Sequence, residues 1–121
     1  MRRILIVEDE EIIRSALRKL LMHADYEVSD AGSVDEARTR FNLDNFDLII
    51  SDLRLPGAAG TELIRLAPNT PVLIMTSYAS LRSAVDSMKL GAVEYIAKPF
   101  DHDEMLASVE EIIRRSDGTT S

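Results

Sequence analysis

The sequence predicts an α/β domain built on an open, doubly wound parallel sheet of five strands. Three observations carry this expectation. Short apolar runs alternate with helix-period segments five times in 121 residues. The first, third and fourth runs are continuously apolar, as strands covered by helices on both faces are. A closed barrel of such units needs eight of them and about 250 residues, so the sheet stays open. A ligand site then belongs beyond the carboxyl ends of the strands.

Ile4 to Val7 is the first strand, and Ile12, Ile13, Ala16, Leu17, Leu20 and Leu21 recur at helical spacing after it. Tyr26 to Ala31 is a weaker strand. Ser33-Val34-Asp35-Glu36 is a capping-box pattern, with Ser33 as N-cap and Glu36 at the third helical position, opening a helix that buries Val34, Ala37 and Phe41. Phe46 to Ser51 is the third strand, followed by a short helix around Thr61 to Leu66 and a fourth strand from Pro71 to Thr76. Leu81, Ala84, Val85 and Met88 mark a fourth helix, closed by Gly91 where a left-handed cap favours glycine. Val93 to Ala97 is the fifth strand. The last helix runs from about His102 to Arg115, capped by Asp101 and Glu104, with Met105, Leu106, Val109, Ile112 and Ile113 as its buried stripe. Met75, Met88 and Met105 fall on core stripes. Residues 1–115 thus form one domain, and the polar 116–121 segment is a tail or the start of a linker.

Composition narrows the function. Fourteen Lys and Arg against 21 Asp and Glu leave a net charge of −7, which disfavours direct binding to nucleic acid or an anionic membrane. No cysteine is present, which removes disulfides, thiolate metal sites and a cysteine nucleophile. No apolar stretch approaches the roughly 20 residues that span a bilayer, and Met1-Arg2-Arg3 leads straight into an acidic run rather than a signal peptide. The expectation is a soluble, cytoplasmic domain.

The strand ends carry the chemistry. Glu8 and Asp9 follow the first strand, Asp52 the third, Thr76 and Ser77 the fourth, and Lys98-Pro99 the fifth. If the first and third strands are neighbours, three carboxylates converge. Two unit charges 4 Å apart repel by about 4 kcal/mol at an effective dielectric near 20. Such a cluster protonates, spreads apart or holds a cation, and its oxygen donors select a hard ion, Mg²⁺ or Mn²⁺. A divalent ion, a lysine and a hydroxyl around one carboxylate suit phosphoryl transfer, with the carboxylate able to act as nucleophile. Taken singly these residues say little: Lys98 alone reads as a surface lysine, Thr76 as a strand end, Tyr95 as a half-buried strand aromatic. His23 and His102 read as exposed helix residues, and Arg114-Arg115 as compensation of a helix dipole.

Four segments together resemble a known family. Ile4-Leu5-Ile6-Val7-Glu8-Asp9-Glu10, Ser51-Asp52-Leu53-Arg54-Leu55-Pro56-Gly57, Met75-Thr76-Ser77 and Tyr95-Ile96-Ala97-Lys98-Pro99-Phe100 resemble the CheY-like receiver domain of bacterial two-component response regulators, over essentially residues 3–115. The resemblance implies a flavodoxin-like (βα)5 fold with strand order 2-1-3-4-5. It implies that Asp52 accepts a phosphoryl group from a sensor histidine kinase. Asp9, Asp52 and the backbone carbonyl of Arg54 would bind Mg²⁺, with Glu8 acting mainly through water. Thr76 and Lys98 would contact the phosphoryl oxygens. Tyr95 would follow Thr76 as a switch, coupling the site to the face formed by the fourth helix, fifth strand and fifth helix. The Lys98–Pro99 bond is expected to be cis. Glu8 stands where many receivers carry aspartate.

The stretches Ile74 to Tyr78, Ala84-Val85, Lys89 to Ala92 and Lys98 to Asp101 are similar to receivers of the nitrogen-regulator (NtrC) type, which precede an ATPase module and a DNA-binding domain. The implied partners are a sensor kinase, an output domain in cis or a separate protein, and a second copy in a phosphorylation-dependent homodimer. Transcription regulation is the expected output, with a stand-alone relay or interaction switch as the alternative. The fourth helix, rich in Ser80, Ser83, Ala84 and Ser87, is expected to be the mobile element.

Two other classes fit the fold less well. A flavodoxin-like cofactor protein needs hydroxyl and backbone donors after its first strand, where this chain has Glu8-Asp9-Glu10-Glu11. A Mg²⁺-dependent aspartyl phosphatase carries its nucleophile on the first strand with a second acid two residues on. Here the residue two after Asp52 is Arg54, and no cap domain is encoded.

Overall fold

The computed structural model describes residues 1–118. The elements, in order, are β1 (Arg3–Val7), α1 (Glu11–His23), β2 (Glu27–Ala31), α2 (Val34–Arg40), a 3-10 turn (Leu43–Asn45), β3 (Leu48–Asp52), α3 (Glu62–Leu66), β4 (Val72–Thr76), α4 (Leu81–Leu90), β5 (Glu94–Ala97) and α5 (His102–Gly118). The sheet is parallel throughout, in the order β2-β1-β3-β4-β5. Chain order reverses between β1 and β3, so the crevice between their carboxyl ends is the switch point where ligand chemistry belongs.

Alternate residues of each central strand feed two cores. Ile4, Ile6, Leu48, Ile50, Leu73 and Met75 pack with Leu17 and Leu21 of α1 and Met105, Val109, Ile112 and Ile113 of α5. Leu5, Val7, Ile49, Val72 and Ile74 pack on the other face with Val34 and Ala37 of α2 and Leu63 of α3. Every residue of β3 and β4 is buried. Each such Leu or Ile stabilises the fold by about 1.5–3 kcal/mol, which makes these strands a stiff platform for the groups at their ends.

The elements follow the sequence pattern, with instructive differences. Strand ends shift by one or two residues, and Asp52 lies inside β3, paired with Met75, rather than beyond it. Ser33 Oγ accepts from Glu36 N–H at 3.1 Å as predicted, but Glu36 Oε1 accepts from Gly32 N–H at 2.6 Å, one residue earlier than a standard capping box. Phe41 ends α2 as its C-cap and is only half-buried, packed edge-on against Phe46. Asp101 caps α5 by accepting from Asp103 N–H at 2.9 Å, whereas Glu104 is exposed. The last helix continues past Arg115 to Gly118, so the start of the expected tail is helical, and residues 119–121 lie outside the described ones.

Helix α4 departs from the expected pattern at one residue, Met88. Its inward face is Ser83, Ala84 and Ser87, while Leu81, Val85, Met88 and Leu90 are exposed. Met88 is therefore not a core residue. The apolar stripe exists but points outward, and Gly91 closes the helix with φ +115°, the left-handed cap expected there. Ile12 of α1 is exposed in the same way.

Candidate functional site

Glu8, Asp52, Thr76 and Lys98 converge at the carboxyl end of the sheet because β1, β3, β4 and β5 end side by side there. Glu8 and Thr76 are fully buried, and Asp52 is buried with 6% of its surface exposed. Lys98 Nζ donates to Glu8 Oε1 at 2.7 Å and to Asp52 Oδ2 at 3.1 Å, with only 4% of the lysine side chain exposed. Carboxylate oxygens of Glu8, Asp9 and Asp52 all lie within 4.8 Å of one another, Asp9 being the exposed member. Glu8 Oε2 also accepts from Glu10 N–H at 3.1 Å, so both of its oxygens are engaged.

Burial lifts the Glu8 pKa above its ordinary value, and the nearby Asp52 charge adds to this against the opposing bonds from Lys98 and Glu10. Burial alone would lower the pKa of Lys98. Its hydrogen bonds and charge interactions with Glu8 and Asp52 outweigh that, and the ammonium is held above its ordinary value. Three carboxylates and one lysine leave an excess of negative charge that a cation would balance. The donor set is oxygen only, which fits a hard divalent ion.

The hydroxyl of Thr76 accepts from Tyr78 N–H at 3.1 Å, which leaves its own proton to donate. The Arg54 guanidinium stacks over the Tyr78 ring at 4.3 Å, bridging the loops after β3 and β4. Arg54 N–H lies 3.4 Å from Asp52 Oδ1. Tyr95 is half-buried on β5 and donates from its hydroxyl to Ser83 Oγ of α4 at 2.9 Å. The Lys98–Pro99 bond is cis, as expected. His23 and His102 are exposed, and Arg114 and Arg115 pair with Glu111.

Residues 4–110 match the family described as the response regulator receiver domain. The chain belongs to that family. Among its relatives, the receiver is 37% identical over 117 residues to the regulatory protein VanRB of Enterococcus faecalis, covering 94% of this chain and 53% of that protein. It is 35% identical over 121 residues to the transcriptional regulatory protein ResD of Bacillus subtilis, covering 98% and 50%. The chain thus spans about half the length of these curated relatives. Among solved structures, it is similar to a beryllofluoride-activated NtrC4 receiver domain dimer (TM-score 0.87, 28% identity, 95% and 98% coverage). It is also similar to a Burkholderia pseudomallei response regulator with a phosphorylated aspartic acid and a calcium ion (TM-score 0.80, 28% identity, 100% and 74% coverage). The protein is a receiver domain of two-component signalling, a signalling domain rather than an enzyme with an external substrate. Among its described residues no helix is long and apolar enough to cross a membrane.

Two residues that shape the receiver's site, Gly60 and Arg14, were not singled out from sequence. Gly60 packs so closely under β3 that a Cβ would overlap the carbonyl oxygen of Asp52 and stand 2.5 Å from Ser51 Oγ. Ser51 Oγ donates to that same carbonyl at 2.9 Å. Arg14 of α1 donates from Nη1 to the carbonyl of Glu8 at 2.8 Å. A glycine three residues after Pro56-Gly57 reads as one more loop glycine, and Arg14 as a solvated helix residue. Neither carries a signal until the loops are folded.

Proposed function

We propose that Asp52 is the phosphoacceptor, and that its modification is what this receiver reports. The observation that supports it most is the buried Asp52 carboxylate, bonded to Lys98 and crowded by Glu8 and Asp9 at one sheet end. An oxygen of Asp52 attacks the phosphorus of a phosphohistidine on a sensor kinase. The P–N bond breaks, and the departing imidazole keeps the electron pair and takes a proton from solvent. Water later attacks the phosphorus of the acyl phosphate, breaks the P–O bond and restores the carboxylate. Asp9, Asp52, the carbonyl of Arg54 and, through water, Glu8 would hold Mg²⁺, with Mn²⁺ as an alternative; when bound, the ion neutralises charge on the phosphoryl oxygens. Lys98 transfers its donor bond from Asp52 to a phosphoryl oxygen, and Thr76 donates its hydroxyl proton to another.

The phosphoryl group adds about −1.5 to −2 charges, and drawing Thr76 toward it opens space beside β4. Tyr95 moves into that space and releases Ser83, so that the exposed α4–β5–α5 face changes shape. That face carries Leu81, Val85 and Met88 in the open, which supports docking of an output domain or of a second copy, and the similar NtrC4 receiver domain is described as a dimer. The same likeness supports a nitrogen-regulator type, while the VanRB and ResD relatives favour transcription control more broadly. A cytoplasmic location follows from a partner kinase that supplies phosphohistidine there.

Incubation with acetyl phosphate and Mg²⁺, followed by intact mass, tests the central step. One phosphoryl adduct is expected, absent in EDTA and absent in Asp52→Asn. An adduct that survives that substitution refutes the assignment.

A further inference from the structure

Glu8 leaves the sheet with its two backbone groups in different situations. Its N–H donates to the carbonyl of Ala31 at 3.0 Å, extending the β1–β2 ladder by one bond. The last strand pairs are Val7 with Ala31 and Val7 with Ser51, so the Glu8 carbonyl lies beyond the ladder. A backbone acceptor at a buried residue needs a partner, and Arg14 Nη1 supplies it at 2.8 Å. The arginine is itself held. Its Nε faces Asp30 Oδ1 at 3.8 Å, while Arg18 Nη1 grips Asp30 Oδ2 at 2.6 Å. Asp30 sits on β2, in register with Ile6 of β1.

We infer that Arg14 is a positioning residue for the cation site, acting through the Glu8–Asp9 peptide rather than through a carboxylate. This rests on the reading of Glu8, Asp9 and Asp52 as that site. Mutual repulsion drives the three acids apart, and Asp9, exposed and on a turn, is the one free to swing outward. A guanidinium locked to the Glu8 carbonyl fixes the plane of the peptide from which Asp9 departs, and so holds Asp9 beside Glu8 and Asp52 before any ion arrives. The arrangement trades electrostatic comfort in the free protein for a preorganised set of oxygens.

The test compares wild type, Arg14→Met and Arg14→Lys by two readouts. Loss of the free Mn²⁺ paramagnetic resonance signal gives the affinity for the ion, and amide exchange at Glu8 and Glu10 in EDTA reports the metal-free loop. Arg14→Met is expected to weaken Mn²⁺ binding about tenfold or more, the range seen when a ligand's outer partner is lost. The two amides should exchange about threefold faster or more, as loss of one net hydrogen bond allows. Arg14→Lys, which keeps a donor for the carbonyl, restores most of the affinity. Wild-type Mn²⁺ affinity in Arg14→Met, even with a lowered melting temperature, overturns this role alone. Wild-type protein that binds no Mn²⁺ overturns the cation reading itself and this role with it.

Discussion

Replacing Asp52 by Asn should make the metal-free protein more stable, although it removes the proposed phosphoacceptor. Glu8 and Asp9 each have an oxygen within 4.8 Å of Asp52, and Lys98 lies at 3.1 Å. At an effective dielectric near 20, each repulsion is worth about 3.5 kcal/mol and the attraction about 5 kcal/mol. The net repulsion of about 2 kcal/mol falls to about 1 kcal/mol because Asp9 is exposed and water screens its share. Asparagine keeps an oxygen for Lys98, so no buried donor is orphaned. For a chain of 121 residues, 1 kcal/mol moves the melting temperature by about 3–6 °C, and a rise of about 5 °C is expected in EDTA. The assay is thermal denaturation followed by circular dichroism, with and without Mg²⁺. Magnesium stabilises wild type by mass action and the variant less, so the gap narrows as the ion is added. A variant that melts at or below wild type in EDTA would refute the claim that the acids repel one another across this site.

Four other outcomes follow from the same geometry. Lys98→Met leaves two buried acids without their cation and should cost about 3–5 kcal/mol at pH 7. Glu8, whose folded pKa already exceeds its unfolded one, binds more protons when folded, so stability rises as pH falls through that folded pKa; urea midpoints should show the deficit shrinking on acidification. Gly60→Ala forces the loop after β3 away from the Asp52 carbonyl, and a loss of about 1–3 kcal/mol in urea denaturation is expected, together with slowed phosphorylation by acetyl phosphate. Arg54→Ala removes the stack on Tyr78 at a stability cost under about 1 kcal/mol, yet should shorten the aspartyl phosphate lifetime, measured by mass after the donor is removed, because water reaches Asp52 more easily. Amides of α4 should exchange faster than those of α5, which buries Met105, Val109, Ile112 and Ile113 where α4 buries only Ser87.

What could be read before folding was whatever one strand or one helix carries within itself. Ile4 to Val7 and Leu73 to Met75 announce doubly buried strands, and the acids and lysine that follow strands must meet once the strands lie parallel. Asp52 and Lys98 were legible for that reason, 46 residues apart though they are. Features made by a loop or a helix side chain meeting a strand end were not legible. Gly60 matters only because its loop passes under β3, and Arg14 only because the β1–α1 turn presents a carbonyl to it. The stripe of α4 was read correctly as a stripe, and only Met88 on it was wrongly placed in the core. Periodicity says that one side is apolar, and not which way that side faces when the inward positions are small and polar.

Helix α4 rests on the domain through two serines and an alanine, and one of those serines holds Tyr95. In mechanical terms this contact is a bearing rather than a joint. Its inward side chains are small, so sliding the helix pulls no bulky α4 group out of a socket, and the half-buried Ser83 hydroxyl can exchange Tyr95 for water along the way. A broad, shallow energy well for α4, beside a deep and narrow one for β1, β3 and β4, is what the faster amide exchange predicted above would register. With compliance placed in that helix, a load applied at the sheet's charged end would be taken up there.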